Sequence, residues 1–281
     1  IKEREEKNMK KLLSGALALA LCATLAGCGS SNSDDKTLMI GASITPHAEI
    51  LNNIKPDLEE MGYTVNIVEF SDYVKPNTAL EDGELDANYF QHNQYLEEWN
   101  EKNGTNLVSA GDIHFEPMGI YSDKYTALDD LKEGQHVTIG IPNDATNGGR
   151  ALQLLAANGI ITLKDDLGIT ATPNDILDSP YDVEIVEMAA ESIPVNLSDM
   201  DLGVANGNNA LNANVLDKLI VTEDAGGVAQ QFANVIAVRD GEQDSQKIKD
   251  LLSVLKSQKT IDFINEKYDG IVVPFFTVEG E

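Results

Sequence analysis

"HVTIGIPNDATNGGRALQLLAANG", residues 136–159, reads as one strand feeding directly into one helix. "HVTIGIP" is a short, largely apolar run with the β-branched residues that suit a pleated surface. After it, Ala151, Leu152, Leu154, Leu155, Ala156 and Ala157 recur at helical spacing, with Asn147, Gly148, Gly149 and Arg150 leading in. A strand followed at once by a helix is the building unit of α/β layers. The arginine is the odd residue in it. A helix N-terminus already carries positive partial charge, so a cation there is unfavourable for stability, whereas the same place suits a bound anion. Two uses stay open: contact with a ligand anion, or a surface pair with a nearby acid such as Asp144.

Outward from this unit, strand-like and helix-like segments alternate. "TLMIGAS" (37–43) reads as a buried strand and "PHAEILNNIKPDLEEMG" (46–62) as a helix, with Gly62 as its stop and Pro56 expected to bend or break it. "YTVNIVEF" (63–70) alternates at period two, "KPNTALEDGEL" (75–85) looks helical, and "DANYF" (86–90) is a strand end. "QHNQYLEEWNEKNG" (91–104) reads as a helix, and "NLVSAG" (106–111) and "FEPMGIYS" (115–122) as two strands. "YDVEIVEM", "MDLGVAN" and "NVIAVRD" supply later strands before a helical tail from residue 244. The pattern predicts an α/β fold with mostly parallel sheets. Polar and aromatic residues gather at strand ends: Tyr73, the 88–95 cluster, His114, Arg150 and Asn206 to Asn209. Ligand crevices of open α/β sheets lie at those ends, so a cleft built from both halves of the chain is expected.

The start of the chain carries a different signal. "MKKLLSGALALALCATLAGC" (9–28) has a basic start at Lys10 and Lys11, an apolar stretch from Leu12 to Leu25 and small residues before Cys28. This is a secretory signal peptide over 9–27, and "LAGC" resembles the bacterial lipobox, making Cys28 the lipidated residue. Residues 1–8 are expected to be an upstream segment with Met9 as the true start, and 28–36 a polar tether. Cys22 and Cys28 are the only cysteines, so the mature body has no disulfide. With 47 acidic against 20 basic residues and a formal charge of −27, the chain lacks the basic stripe that nucleic acid needs. It is equally unsuited to lying on an anionic bilayer. Membrane attachment is therefore expected through the lipid alone, on the extracytoplasmic face of the cell membrane.

Five ordered blocks carry a resemblance: "PHAEIL" (46–51), "DYVKPNTALEDGELDANYFQHNQYLEEWN" (72–100), "IPNDATNGGRALQLLAANGII" (141–161), "NGN" (206–208) and "NVIAVR" (234–239). Together they resemble the methionine-binding lipoproteins of bacterial ABC importers, over essentially the whole chain after the tether. The resemblance implies a two-lobed periplasmic-binding-protein fold with two chain crossings, near "FEPMGIY" and "FANVIAVR", and a ligand cleft between lobes. Lobe one is then 37–117 plus 236–281, and lobe two 118–235. It implies a monomeric receptor, not an enzyme, that binds methionine and hands it to a permease and its ATPase, with no cofactor and no metal. A methionine-containing dipeptide, or another apolar amino acid, is the alternative ligand. An extracytoplasmic enzyme on the same scaffold is the alternative from another class.

By the same resemblance, Phe90, His92 and Tyr95, with Tyr73, enclose the ligand side chain, where sulfur–aromatic contacts suit a thioether. Tyr89 falls on the opposite face of the strand. Arg150 takes the α-carboxylate in a bidentate pair, with N–H donors near Asn147 and glycines that allow close backbone approach. Asn206 and Asn208 offer amides that donate to a carboxylate or accept from an ammonium, although Asn-Gly is also turn chemistry. Asn209 stands where the family pattern carries an aromatic residue. His114 is read as a hinge or cleft-edge residue or as a ligand contact. Arg150→Ala is expected to abolish binding with little loss of fold. No nucleophile elbow, P-loop or dinucleotide fingerprint appears, and the four histidines show no helical metal spacing.

Overall fold

In a computed structural model the described residues are 36–224 and 227–278. The signal peptide, Cys28 and the tether up to residue 35 lie outside them. The body that begins at Thr37 is one compact unit. No helix among the described residues is long and apolar enough to cross a membrane.

Among the described residues thirteen strands are arranged mainly in two sheets. The first half of the chain supplies β1 (Thr37–Ser43), β2 (Thr64–Phe70), β3 (Ala87–His92), β4 (Leu107–Phe115), β5 (Gly119–Tyr121) and β6 (His136–Pro142). Then follow β7 (Thr162–Leu163), β8 (Ile176–Asp178), β9 (Asp182–Met188), β10 (Leu202–Ala205), β11 (Leu219–Thr222), β12 (Asn234–Arg239) and β13 (Val273–Pro274). The first sheet has the order β13-β4-β12-β3-β1-β2, and the second β11-β5-β10-β6-β9. The helices are α1 (Glu49–Glu60), α2 (Lys75–Glu81), α3 (Asn93–Asn103), α4 (Ala145–Ala157), α5 (Gly207–Asn212), α6 (Gln246–Leu255) and α7 (Gln258–Tyr268).

Each sheet has its own core. Around the first, Leu38, Ile40, Ile113 and Ile236 meet Ile50, Leu51, Ile54 and Leu58 of α1 and Leu251 of α6. In the second, Val137, Ile139, Ile141, Leu202 and Val204 meet Leu152 and Leu155 of α4. The apolar residues of α1 fall on one stripe, and that stripe decides the fate of Pro56. The expected break does not occur: α1 runs through Pro56 to Glu60. Asn52 and Pro56 both lie on the solvent side, so the carbonyl that loses its N–H donor faces water.

The sheets are mixed, not mostly parallel. β1 pairs in parallel with β2 and β3, and β6 with β9 and β10. By contrast β12 is antiparallel to β3 and β4, and β5 to β10 and β11. The antiparallel strands flank the places where the chain passes between sheets: after Phe115 into Gly119, and back between Thr222 and Asn234. Asn234 and Val235, expected in the second lobe, therefore belong to the first sheet. The two strands expected at "NLVSAG" and "FEPMGIYS" are both present, but the first, β4, runs on through Phe115 and the second, β5, is only Gly119–Tyr121.

Candidate functional site

Strand ends from both sheets converge on one cavity. β3 brings Phe90, Gln91 and His92; the loop after β2 brings Tyr73; α3 brings Tyr95. The second sheet contributes Asn147 and Arg150 from α4, and Asn206 and Asn208 after β10. Glu116, in the first crossing, and Asn234, at the start of β12, complete the wall. The space among these residues, its open mouth included, is about 350 Å³. Of the residues expected to bind ligand, Tyr73, Phe90, His92, Tyr95, Asn147, Arg150, Asn206 and Asn208 line this cavity.

His114 does not. Its ring is fully buried one layer behind Glu116, to which Nε2 donates at 2.8 Å, so the reading of His114 as a ligand contact is corrected.

One end of the cavity is aromatic. The rings of Tyr73, Phe90 and Tyr95 lie 5.9–6.0 Å apart, tilted or edge-on to one another, the separations that favour aromatic contact. Tyr95 Oη donates to the Tyr73 carbonyl at 3.0 Å. His92 caps α3: its Nδ1 accepts the Tyr95 N–H at 3.1 Å. That leaves the ring proton on Nε2, which donates across to Asn147 Oδ1 at 3.2 Å. Gln91, expected to open the helix over 91–104, belongs instead to β3, where strict alternation would turn it away from Phe90. Pairing between β3 and β12 skips Phe90, with Tyr89 opposite Ile236 and Gln91 opposite Val235. Such a bulge re-aims side chains, so Phe90, Gln91 and His92 all reach the cavity.

The other end is charged. Arg150 is 3% exposed, and Glu223 holds it in a forked pair, Nε to Oε1 at 2.8 Å and Nη2 to Oε2 at 2.5 Å. Nη2 also donates to the Glu116 carbonyl at 2.9 Å, and the guanidinium stacks 4.0 Å over Phe232. Neither Asp144 nor the helix mouth is its partner. Asp144 caps α4, accepting the Asn147 N–H at 2.9 Å, and α4 starts at Ala145, so Arg150 sits in its second turn. The glycines serve packing inside this helix: a Cβ on Gly149 would lie 1.9 Å from the Ile169 carbonyl oxygen, and one on Gly148 2.8 Å from that of Pro142.

Among the described residues the bonds of Arg150 run from Nε and Nη2, and none runs from Nη1. Beside it, Asn206 Nδ2 donates to Asn147 Oδ1 at 2.8 Å, while Asn206 Oδ1 is buried without a donor. Glu116 is 6% exposed, its Oε2 accepting the Asn208 N–H at 2.6 Å. Burial pushes its carboxyl above the usual range, against the lowering effect of His47 and Arg150. Asn208 Oδ1 accepts from Tyr73 Oη at 2.6 Å, and Asn209 Nδ2 donates to the same hydroxyl at 3.1 Å. Asn209, where an aromatic was expected, thus tethers Tyr73. Sequence reasoning missed Glu116 and Asn234. A glutamate within an apolar strand end beside His114 was the signal for the first; Asn234 gave none.

Three groups of metal-ligating type, His47, His114 and Glu116, lie within 4.8 Å of one another. Their facing atoms are engaged already: His114 Nε2 on Glu116 Oε1, and His47 Nε2 on Asn234 Oδ1 at 3.0 Å.

Burial lowers His47 to about 4 and His92 and His114 to about 3, against an ordinary 6.5. Each stays neutral in the fold but takes a proton in the unfolded chain below that value. Their contribution to stability is complete above pH 6.5 and is lost as the pH falls toward 4 and then 3. Glu116 and Asp144, raised by burial, act in the opposite sense. Glu98, raised by burial, and His136, raised by its bond to Asp182, act with those two, but the three buried histidine shifts are the large ones and leave a net loss, at most about 1.4 kcal/mol per pH unit for each of the three. The urea midpoint is expected to be lower at pH 5 than at pH 7; an unchanged midpoint would contradict neutral burial.

Comparison with known proteins gives one answer at every level. The family model described as NlpA lipoprotein matches residues 38–276. The methionine-binding lipoprotein MetQ of Bacillus subtilis is 43% identical over 273 residues, 95% of this chain and 99% of that protein. A lipoprotein structure from Ruminococcus gnavus superposes with a TM-score of 0.82 at 47% identity, covering 86% of this chain and 100% of that one. A nutrient-binding protein from Burkholderia cenocepacia, solved bound to methionine, gives 0.79 at 37% identity over 85% of this chain and 100% of its own. The two-sheet architecture is that of periplasmic binding proteins.

Proposed function

The chain belongs to the NlpA lipoprotein family, and on that premise we propose that it is the substrate-binding lipoprotein of an ABC importer and that its ligand is methionine. The observation that carries this reading is the polarity of the cavity. At one end stand Arg150 with its Nη1, the carboxylate of Glu116 and the unpaired Asn206 Oδ1; at the other stand Tyr73, Phe90 and Tyr95. A zwitterion with an apolar tail fits that order. Arg150 takes the α-carboxylate, Glu116 and Asn206 Oδ1 accept from the ammonium, and the thioether lies among the rings.

The binding step is closure. We assign the two sheets, with their helices, to two lobes that meet over the ligand, the crossings at Glu116–Met118 and Phe232–Asn234 serving as hinges. Contacts from both sides would tip the equilibrium: His92 meets Asn147, and Tyr73 meets Asn208. Only such differential contacts let a ligand shift populations. The chain would act as a monomer on the extracytoplasmic face, held by a lipid on Cys28, and pass methionine to the permease and its ATPase. It works as a receptor in this reading, not as a catalyst.

The test is direct. Purified protein, denatured and its released small molecules identified by mass spectrometry, is expected to yield methionine. A methionine dipeptide or a different amino acid would replace the ligand assignment with its alternative.

A further inference from the structure

Behind the cavity wall, two side chains run in series into Glu116. Tyr89 lies on the face of β3 opposite Phe90, fully buried, with its hydroxyl on His114 Nδ1. A phenol donating to Nδ1 leaves the imidazole proton on Nε2, and Nε2 donates to Glu116 Oε1 at 2.8 Å. His47 braces the pair edge-on, its ring 4.7 Å from that of Tyr89 and 4.9 Å from that of His114. The second oxygen of Glu116 is held from the other sheet, by the Asn208 N–H. Both carboxylate oxygens are thus fixed, one from each side of the cleft.

We propose that Tyr89 and His114 are positioning residues that hold Glu116 as the acceptor for the ligand's ammonium, so that selectivity for an α-amino group is set from the core of the first sheet. This rests on the methionine reading and adds the source of its amine selectivity. The physical ground is pre-organisation. An acceptor whose rotation is already locked loses little freedom when the ammonium arrives, and a neutral donor on Nε2 leaves the negative charge of Glu116 for the ligand. Remove the hydroxyl of Tyr89 and the imidazole has no fixed tautomer; remove the imidazole and Oε1 has no fixed donor. In either case the carboxylate is free to turn.

Calorimetry with two ligands tests this: methionine, and 4-(methylsulfanyl)butanoate, which has the same tail and carboxylate but no amine. The quantity read is the ratio of their affinities. Wild-type protein should prefer methionine, Tyr89→Phe should cut that preference roughly tenfold, and His114→Leu should cut it at least as far. His114→Gln, whose amide reaches about as far as Nε2, should restore most of it. Tyr89→Phe keeps the ring and its packing, so it carries the test if His114→Leu fails to fold. An unchanged ratio in Tyr89→Phe overturns the proposal, as does equal weakening of both ligands, which a purely structural role predicts. If wild-type protein shows no preference for methionine, the zwitterion reading itself fails and takes the relay with it; a wild-type preference that survives in the variants sinks the relay alone.

Discussion

Arg150→Ala is expected to abolish methionine binding and, in the same stroke, to lower the stability of the fold by about 3–5 kcal/mol. The second effect is the one that the sequence did not announce. An arginine at a helix mouth facing a ligand would be removable without cost to the fold, and this was the expectation. In the structure the guanidinium is instead the counter-ion of Glu223, which is 8% exposed and also accepts the Met118 N–H at 2.8 Å. Alanine leaves that carboxylate buried and unpaired and withdraws the donor from the Glu116 carbonyl. The double variant Arg150→Met, Glu223→Leu separates the two roles. Replacing a buried pair by apolar residues of similar volume is often neutral, so its urea midpoint should recover most of the loss while calorimetry still detects no methionine. A single Arg150→Ala variant with a wild-type midpoint would contradict the structural role given to the pair.

Gly149→Ala is expected to be nearly as damaging, for a reason that has nothing to do with ligand. The added methyl would sit 1.9 Å from the Ile169 carbonyl oxygen and 2.5 Å from its carbon. These are backbone atoms, so no side chain can swing aside, and α4 has to lift from the segment at Gly168–Thr170. Overpacking of this kind costs about 3 kcal/mol, and because Arg150 is the next residue, its displacement should weaken binding too. Gly159 offers the contrast. It has φ +71° but nothing within 4 Å of a Cβ, so Gly159→Ala should cost only about 1–2 kcal/mol of backbone strain and leave methionine affinity alone. Equal midpoints for the two variants would remove the close approach as an explanation.

These two residues also show what a sequence displays and what it hides. The alternation of strands and helices was legible because each period is local, as was the aromatic cluster at 89–95, where side-chain type and strand end coincide. Phe90 and Tyr89 took opposite faces as alternation requires. Asp144 and the glycine pair were legible only in part: "DATNGG" reads as a loop before a helix, yet Asp144 is the cap and both glycines lie inside the helix. What forces them there is the loop at Ile169, a tertiary neighbour invisible in a periodicity. Glu223 is hidden by number, one acid among 47 and 73 residues from its partner. Gln91 is hidden by a bulge that only the pairing with β12 reveals. The mixed sheets follow from the chain crossing twice, since a strand re-entering a sheet from the far side need not keep its direction.

The account depends on Arg150 Nη1 meeting the ligand's carboxylate. Calorimetric titration of the wild-type protein with methionine and with 3-(methylsulfanyl)propylamine, which keeps the tail and the amine but lacks the carboxylate, measures that contact directly. Loss of the charge-assisted contacts should weaken the amine by roughly a hundredfold or more. Equal affinity for the two would mean that the guanidinium does not hold the ligand, and the assignment of this cavity to a zwitterion would be wrong.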